Sequence, residues 1–367
     1  MIFCGTRNSA YTRALRKLVG SHSTVMDLGA GLGLHGILAA KLGAKKVILV
    51  EPTMAIEVAR EVALRNDLAN VSCIKSTVED LELDTTVDII VSVLTGNFLL
   101  TEDLLPSLFH ARDRFLAPGG RMIPDKGRME VVPIHAPDYY QKHISAWLDF
   151  PAFCGQHNMP EVDYDTMHRH ACNTIFYDDA KTITGSHLAT PKSLLELDFS
   201  TATLAECDQQ LTVLVESDGV CHGWLGWFQI CLADEWLSTD GIDSETHWSQ
   251  VFLPLAEPVE LKRGDALEFS LKRPEGGQWS WTTTHKGKRQ RQSTFLAQPL
   301  RPKDIERQSD QYCPKMSRKG EAVQWLFERL NGQTNITQLA MGLREAFPDL
   351  GFNQKTALSF VHNWTDH

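Results

Sequence analysis

The sequence predicts an α/β chain: a mainly parallel sheet covered by helices, then an antiparallel β-barrel domain, then a small helical domain. Three observations carry this expectation. Up to about residue 132, apolar β-branched runs alternate with helix-compatible stretches, as crossover-connected parallel strands require. From 133 to 300, short runs of Val, Ile, Leu, Trp and Phe recur between Gly, Asp and Pro, as in antiparallel barrels or sandwiches. From 315 to 367 the apolar spacing becomes that of amphipathic helices.

Residues 1–18 read as a short amphipathic helix with Ala10, Leu15 and Leu18 on its apolar side. The run Val25-Met-Asp-Leu-Gly-Ala-Gly-Leu-Gly33 then enters a glycine-rich turn, Leu34–Leu42 leaves it as a helix, and Val47-Ile-Leu-Val-Glu51 forms a second strand ending in an acid. Such a strand–turn–helix–strand unit sets a ligand crevice at the carboxyl ends of its strands. Glycines at 29, 31 and 33 remove the Cβ atoms that would block a ligand from the backbone. Glu51, at the strand tip, is placed to accept hydrogen bonds from a ribose diol. Two cofactors fit this unit. Gly31-Leu-Gly33-Leu-His-Gly36 has dinucleotide spacing, whereas S-adenosylmethionine needs a similar turn and no pyrophosphate cradle. Asp27 favours the second, because a carboxylate there repels a pyrophosphate and can hold an ammonium.

The runs 71–74, 87–92 and 128–134 are read as further strands of this sheet, with Pro118-Gly-Gly120 as a turn before the next strand. Antiparallel strands are expected at 194–200, 210–217, 223–232, 250–255, 267–273 and 278–284. A partly helical, aromatic stretch, 139–179, interrupts them. Residues 301–314 are polar and read as a linker. Beyond them, Val323–Leu330, Ile336–Leu343 and Ala357–Val361 give three helices, broken at Asn331-Gly332.

Composition bounds the function. The chain has 367 residues, 43% hydrophobic and 22% charged, as globular proteins do. A formal net charge of −10 excludes broad electrostatic binding to nucleic acid or anionic membrane and suits a basic peptide. No apolar run reaches the ~20 residues that span a bilayer, and no signal peptide opens the chain, so a cytoplasmic protein is expected. The eight cysteines are scattered without a Cys-x-x-Cys pair, as reduced thiols are. His168, His170 and Cys172 alternate as one face of a strand would place them, yet no partner motif accompanies them and no metal is expected.

Val25–Gly33, Glu51, Val78-Glu79-Asp80 and Val87–Ser92 stand in the order seen in class I S-adenosylmethionine-dependent methyltransferases. Phe98-Leu-Leu-Thr-Glu102, Ala111–Gly120, Ile123-Pro-Asp125 and Thr246-His-Trp248 make the chain resemble, more narrowly, the protein arginine methyltransferases. The resemblance implies a Rossmann-like cofactor domain (1–132) and a β-barrel domain (133–300) with a homodimerising arm around 139–179. It implies S-adenosylmethionine as cofactor, held by Arg7 at its carboxylate, by Asp27, Gly29, Gly31, Gly33, Glu51 and Val78, and by Glu79 at the adenine. It implies Glu102 and His247 as catalytic residues, with Val93, Asn97 and Trp248 around the acceptor. Where the family has the first of two loop glutamates this chain has Val93, and where it has an aspartate partner for the histidine this chain has Cys4. A valine cannot offset a guanidinium. The acceptor expected is therefore a nitrogen or oxygen of a peptide or small metabolite rather than protein arginine. The same two losses fit a catalytically inactive scaffold that binds a peptide or partner protein. Residues 315–367 are similar, through Leu330–Ile336, to PqqD-like helical domains that bind leader peptides; a stabilising helical tail is the alternative.

Overall fold

The computed structural model describes residues 2–241, 246–299, 301–307 and 309–365. The chain forms two compact units, Met1–Gln298 and Pro299–His367. In the first, helix α1 (Gly5–Leu18) precedes β1 (Thr24–Leu28), α2 (Leu34–Lys41), β2 (Lys46–Val50), α3 (Ala55–Arg65), β3 (Val71–Ile74), β4 (Val87–Ser92), α4 (Leu105–Phe115) and β5 (Leu116–Ile123). These strands form one parallel sheet in the order β3-β2-β1-β4-β5. The order reverses between β1 and β4, so the loops leaving those two strands diverge and open a crevice. β1, β2 and β4 are almost wholly buried, which is why they read as continuous apolar runs.

Two expectations are corrected here. The run at 128–134 does not join the parallel sheet: it lies in β6 (Lys126–His135), which pairs antiparallel with a later strand. Pro118-Gly-Gly120 is not a turn ahead of a strand but an irregularity within β5, where the register with β4 slips and Gly119 takes a φ of 80°.

After β6 come the arm helices α5 (Pro137–His143), α6 (Phe150–Gln156) and α7 (Asp165–Cys172). Ten strands follow: β7 (Phe176–Asp178), β8 (Ser186–His187), β9 (Lys192–Asp198), β10 (Cys207–Leu214), β11 (Gly219–Leu232), β12 (Glu235–Ser238), β13 (Gln250–Leu261), β14 (Ala266–Arg273), β15 (Ser280–His285) and β16 (Lys288–Ser293). One antiparallel sheet runs β7-β13-β11-β6-β8, with β12 on β11 and β9 on β6; a second runs β10-β14-β15-β16. β9 lies beside β10 and β13 beside β16, so the two sheets adjoin at both margins in barrel fashion. A single apolar cluster joins Met26 and Ile90 of the parallel sheet to Trp224 and Phe228 of the antiparallel one.

His168, His170 and Cys172 are not on a strand. They lie on α7, where residues four apart share a face. Cys172 Sγ is 3.5 Å from His168 Nε2, while the His170 ring turns away to Ala297 O. Among the described residues no group of three or more His, Cys, Asp or Glu is placed to hold a metal, and no helix is long and apolar enough to cross a membrane.

The second unit holds α8 (Pro302–Glu306), α9 (Arg318–Phe327), α10 (Ile336–Ala346) and α11 (Gln354–Thr365). α8 lies within the stretch read as linker. Helix α9 stops before Leu330, and the Asn331 side chain accepts from Gln333 N and Thr334 N to fold the connection. Ala322, Leu326, Leu339, Leu343, Ala357 and Val361 form its core.

Candidate active site

The crevice at the carboxyl ends of β1 and β4 gathers most of the residues singled out from the sequence. Gly29, Gly31 and Gly33 all take positive φ (67°, 53° and 78°), a conformation that strains a side chain. A Cβ on Gly31 would meet nothing within 4 Å, so the turn is open there, whereas a Cβ on Gly29 would stand 2.9 Å from Leu94 Cδ2 and one on Gly33 2.9 Å from Leu49 Cδ1. A Cβ on Gly36 would lie 2.1 Å from Leu49 Cδ2; this glycine serves close helix–strand packing instead.

Asp27 does not project freely into the crevice. It is buried, and Gly36 N–H donates to its Oδ2 at 2.7 Å, so its first service is to the turn itself. Burial pushes its carboxyl up to about 7, with the nearby Glu51 adding to the rise and the Gly36 bond opposing it. Glu51 receives Gly31 N–H on Oε2 (3.0 Å) and the Thr53 N–H and hydroxyl on Oε1 (3.0 and 2.6 Å). A carboxylate has about four acceptor sites, so Oε2 keeps capacity for a ligand hydroxyl. Val78 is buried and Glu79 exposed, held by the Ser107 hydroxyl of α4 at 2.6 Å, a bond that lowers the Glu79 pKa.

Helix α1 brings Arg7 and Tyr11 to the same place, four residues apart on one face. Arg7 is buried, with Asn8 Oδ1 accepting from its Nε and Nη2 (3.1 and 2.8 Å). The Tyr11 hydroxyl donates to Ser92 O (2.9 Å) at the tip of β4, and its ring lies 4.5 Å from that of His35. Burial, then the Arg7 charge, drives the His35 imidazole down to about 3 and that of His247 to about 4; both are neutral at physiological pH.

The segment leaving β4 carries residues that the sequence resemblance would set around an acceptor. Val93 is half-buried against the core. Asn97 and Trp248 stitch this segment to the antiparallel half: Trp248 Nε1 donates to Thr95 O (3.1 Å) and Ser249 N–H to Asn97 Oδ1 (2.9 Å). His247 lies against Trp248 with ring centroids 4.2 Å apart. Glu102 is exposed, on backbone with φ 79°.

Four buried polar atoms of this cluster, His35 Nε2, Ser92 Oγ, Thr95 Oγ1 and His247 Nδ1, have no hydrogen-bond partner among the described residues. Buried polar groups ordinarily find partners, so their concentration beside an open glycine turn is what a polar ligand with its own donors and acceptors would complete. A ribose and an amino-acid end fit this set. Sequence reasoning missed Tyr11, His35, Ser92 and Thr95. The only sequence signal for Tyr11 is its helical spacing from Arg7, and for His35 its place just past the glycines.

Known proteins resemble this chain over two overlapping stretches. Residues 20–171 match a family described as a methyltransferase domain, and residues 125–279 one described as the arginine methyltransferase oligomerization subdomain. Protein arginine N-methyltransferase 2 of Xenopus tropicalis is 30% identical over 283 residues, covering 72% of this chain and 63% of the relative. Protein arginine N-methyltransferase 6 of the same organism is 29% identical, covering 72% of this chain and 79% of the relative. A probable histone-arginine methyltransferase CARM1 of Oryza sativa is 31% identical, with the chain spanning 48% of its length. Among solved structures, the Trypanosoma brucei PRMT1 enzyme-prozyme heterotetrameric complex with AdoHcy superposes with a TM-score of 0.71 at 26% identity, over 80% of this chain and 96% of that one. This chain therefore carries a class I methyltransferase domain, of the kind that uses S-adenosylmethionine as methyl donor, continuous with an arginine methyltransferase oligomerization subdomain.

Proposed function

We propose that the chain transfers a methyl group from S-adenosylmethionine to an uncharged nitrogen or oxygen of a peptide or small metabolite. The observation that carries this reading is an acceptor segment with Val93 where a second carboxylate would be needed, leaving Glu102 as its only glutamate. A guanidinium facing one carboxylate leaves donors and charge under-satisfied in a dry site. The neutral His247 imidazole adds no negative charge, and Arg7 nearby is itself a buried cation.

The donor, when bound, supplies a methyl group on a positively charged sulfur. Arg7 would pair with its carboxylate, since a guanidinium fork matches two oxygens. Glu51 would accept from the ribose, Glu79 from the adenine amino group, and Gly29, Gly31 and Gly33 would let the ligand reach the backbone. Glu102 would accept the acceptor's hydrogen and orient its lone pair, with His247 as an uncharged base above about pH 4. Trp248 would wall the pocket.

The test is incubation with labelled donor and libraries of arginine-bearing and arginine-free acceptors. Transfer to arginine-free acceptors should dominate. Val93→Glu should raise arginine methylation by roughly ten- to a hundredfold in kcat/KM, the worth of one charge-assisted hydrogen bond, and harm the native reaction. Efficient arginine transfer by the parent, indifferent to Val93→Glu, defeats the reading; donor binding without transfer to any acceptor favours the inactive scaffold.

We further propose a cytoplasmic homodimer in which the arm of one copy packs on the outer face of the other's cofactor half. Leu148, Phe153, Met159 and Val162 are exposed on the arm, and Leu32, Met54 and Val58 are exposed beside the glycine turn and along α3. Two such apolar patches suit an interface. Light scattering should report a dimer for the parent and a monomer for Leu148→Asp/Phe153→Asp; a monomeric parent removes the proposal. For the C-terminal unit we propose leader-peptide capture in the PqqD-like manner, supported by a cavity of about 220 Å³ lined by Thr337, Ala340, Met341, Arg344, Gln354 and Leu358. Tethering would raise the local acceptor concentration. Removing 299–367 should spare transfer to small acceptors and abolish transfer to leader-bearing peptides; equal transfer to both leaves the unit a stabilising tail.

A further inference from the structure

Resting on the reading of Glu102 as an acceptor-site residue, we propose that Arg273 is the positioning residue that holds it there, acting through Asp103. The segment around Glu102 is folded against its local preference: Phe98, Leu99, Glu102 and Asp103 have φ of 51°, 64°, 79° and 53°. Left-handed backbone at such residues persists only where the surroundings impose it. Contacts from the antiparallel half fix the earlier part of the segment, at Thr95, Asn97 and, through a 3.2 Å hydrogen bond with the Tyr177 hydroxyl, at Thr101. On the other side of Glu102 the grip falls on the next residue. Asp103 Oδ1 accepts from Arg273 Nη2 at 2.6 Å and from Gly276 N at 3.1 Å.

Arg273, at the end of β14, is an unusual residue to find there. Its side chain is 4% exposed against 41% for Asp103. Its Nε and Nη1 have no partner among the described residues. Its guanidinium lies 5.2 Å from the Trp279 ring centroid, and Trp279 stacks on Phe98 at 5.6 Å. Arg273 thus grips the segment twice: by charge at Asp103 and, through Trp279, by packing at Phe98. A buried cation with two unfilled donors is a poor device for stability, since an apolar side chain fills the same space without desolvating a charge. It is a good device for selecting one conformation, because only the backbone that brings Asp103 within reach offsets the charge.

Hydrogen–deuterium exchange of the full chain tests this, read by mass spectrometry on peptides covering 95–104. Arg273→Met and Asp103→Asn should each speed exchange there about tenfold, and the double variant should exchange no faster than either single one. Asn is chosen because it tolerates the left-handed backbone. Arg273→Lys should restore most of the protection. Exchange of peptides covering 27–36 and affinity for S-adenosylhomocysteine should stay at parental values. Additive effects, no rescue by lysine, or faster exchange confined to β14 and β15 would make Arg273 an ordinary packing residue. If Arg273→Met fails to fold, Asp103→Asn decides alone, parental exchange at 95–104 sinking the proposal. A parent that binds no S-adenosylhomocysteine would refute the donor site, and the exchange comparison would still decide the brace.

Discussion

Gly96→Ala should cost roughly a hundredfold or more in methyl transfer, the scale reached when reacting groups are misplaced by about an ångström. A Cβ at this position would stand 1.7 Å from the carbonyl oxygen of Thr101, and that atom is backbone, so no rotamer change relieves the clash. The segment can only open. Opening it displaces Glu102 and loosens the Gly96–Leu99 bridge at the segment's waist. The glycine turn after β1 lies on another strand and should be untouched. The expected pattern is therefore a collapse of turnover with donor affinity intact, seen by single-turnover transfer beside calorimetry. Parental turnover in Gly96→Ala would mean that the segment takes no part in the reaction.

Glu51→Ala should weaken donor binding by about 1.5–3 kcal/mol, the cost of losing a charge-assisted hydrogen bond. The alanine also leaves Gly31 N–H and Thr53 N–H without their acceptor, which loosens the turn that faces the ligand. Glu51→Gln keeps an acceptor oxygen and should fall between the two. Titration of the parent with S-adenosylmethionine and with NAD is the control. Tight NAD binding with none for S-adenosylmethionine would overturn the assignment of this crevice, and a Glu51→Ala variant of parental affinity would remove Glu51 from it.

Much of this arrangement is legible in the chain because it is local. The glycine turn, its flanking strand and helix, and the acid at the end of β2 follow from residue types whose backbone preferences act over a few positions. Longer-range pairing is harder to read. The run at 128–134 has the composition of a parallel strand, and its partners β11, β9 and β8 make it antiparallel. His168, His170 and Cys172 sit at a spacing that suits a strand face, but one helical turn pairs His168 with Cys172 and sends His170 elsewhere. Asp27 reads as a ligand for a cation, yet its nearest donor is Gly36 N–H, nine residues on. His35 and Tyr11 carry no motif; burial and mutual contact single them out. Arg273 is 170 residues from Asp103, and nothing in either neighbourhood announces the pairing.

The apolar cluster that runs unbroken from the parallel sheet into the antiparallel one ties the stability of the two sheets together. A cut near Pro124 would follow the change of architecture but would strip Leu99, Leu100 and Ile123 of Met129, Phe199 and Phe228 and hand that surface to water. Energy put in at one end is therefore felt at the other. A molecule seated on the glycine turn deepens the native well for the whole unit, by the logarithm of its concentration over its dissociation constant. The antiparallel strands, which need not touch that molecule, share in the protection through the cluster they hold in common with the parallel sheet.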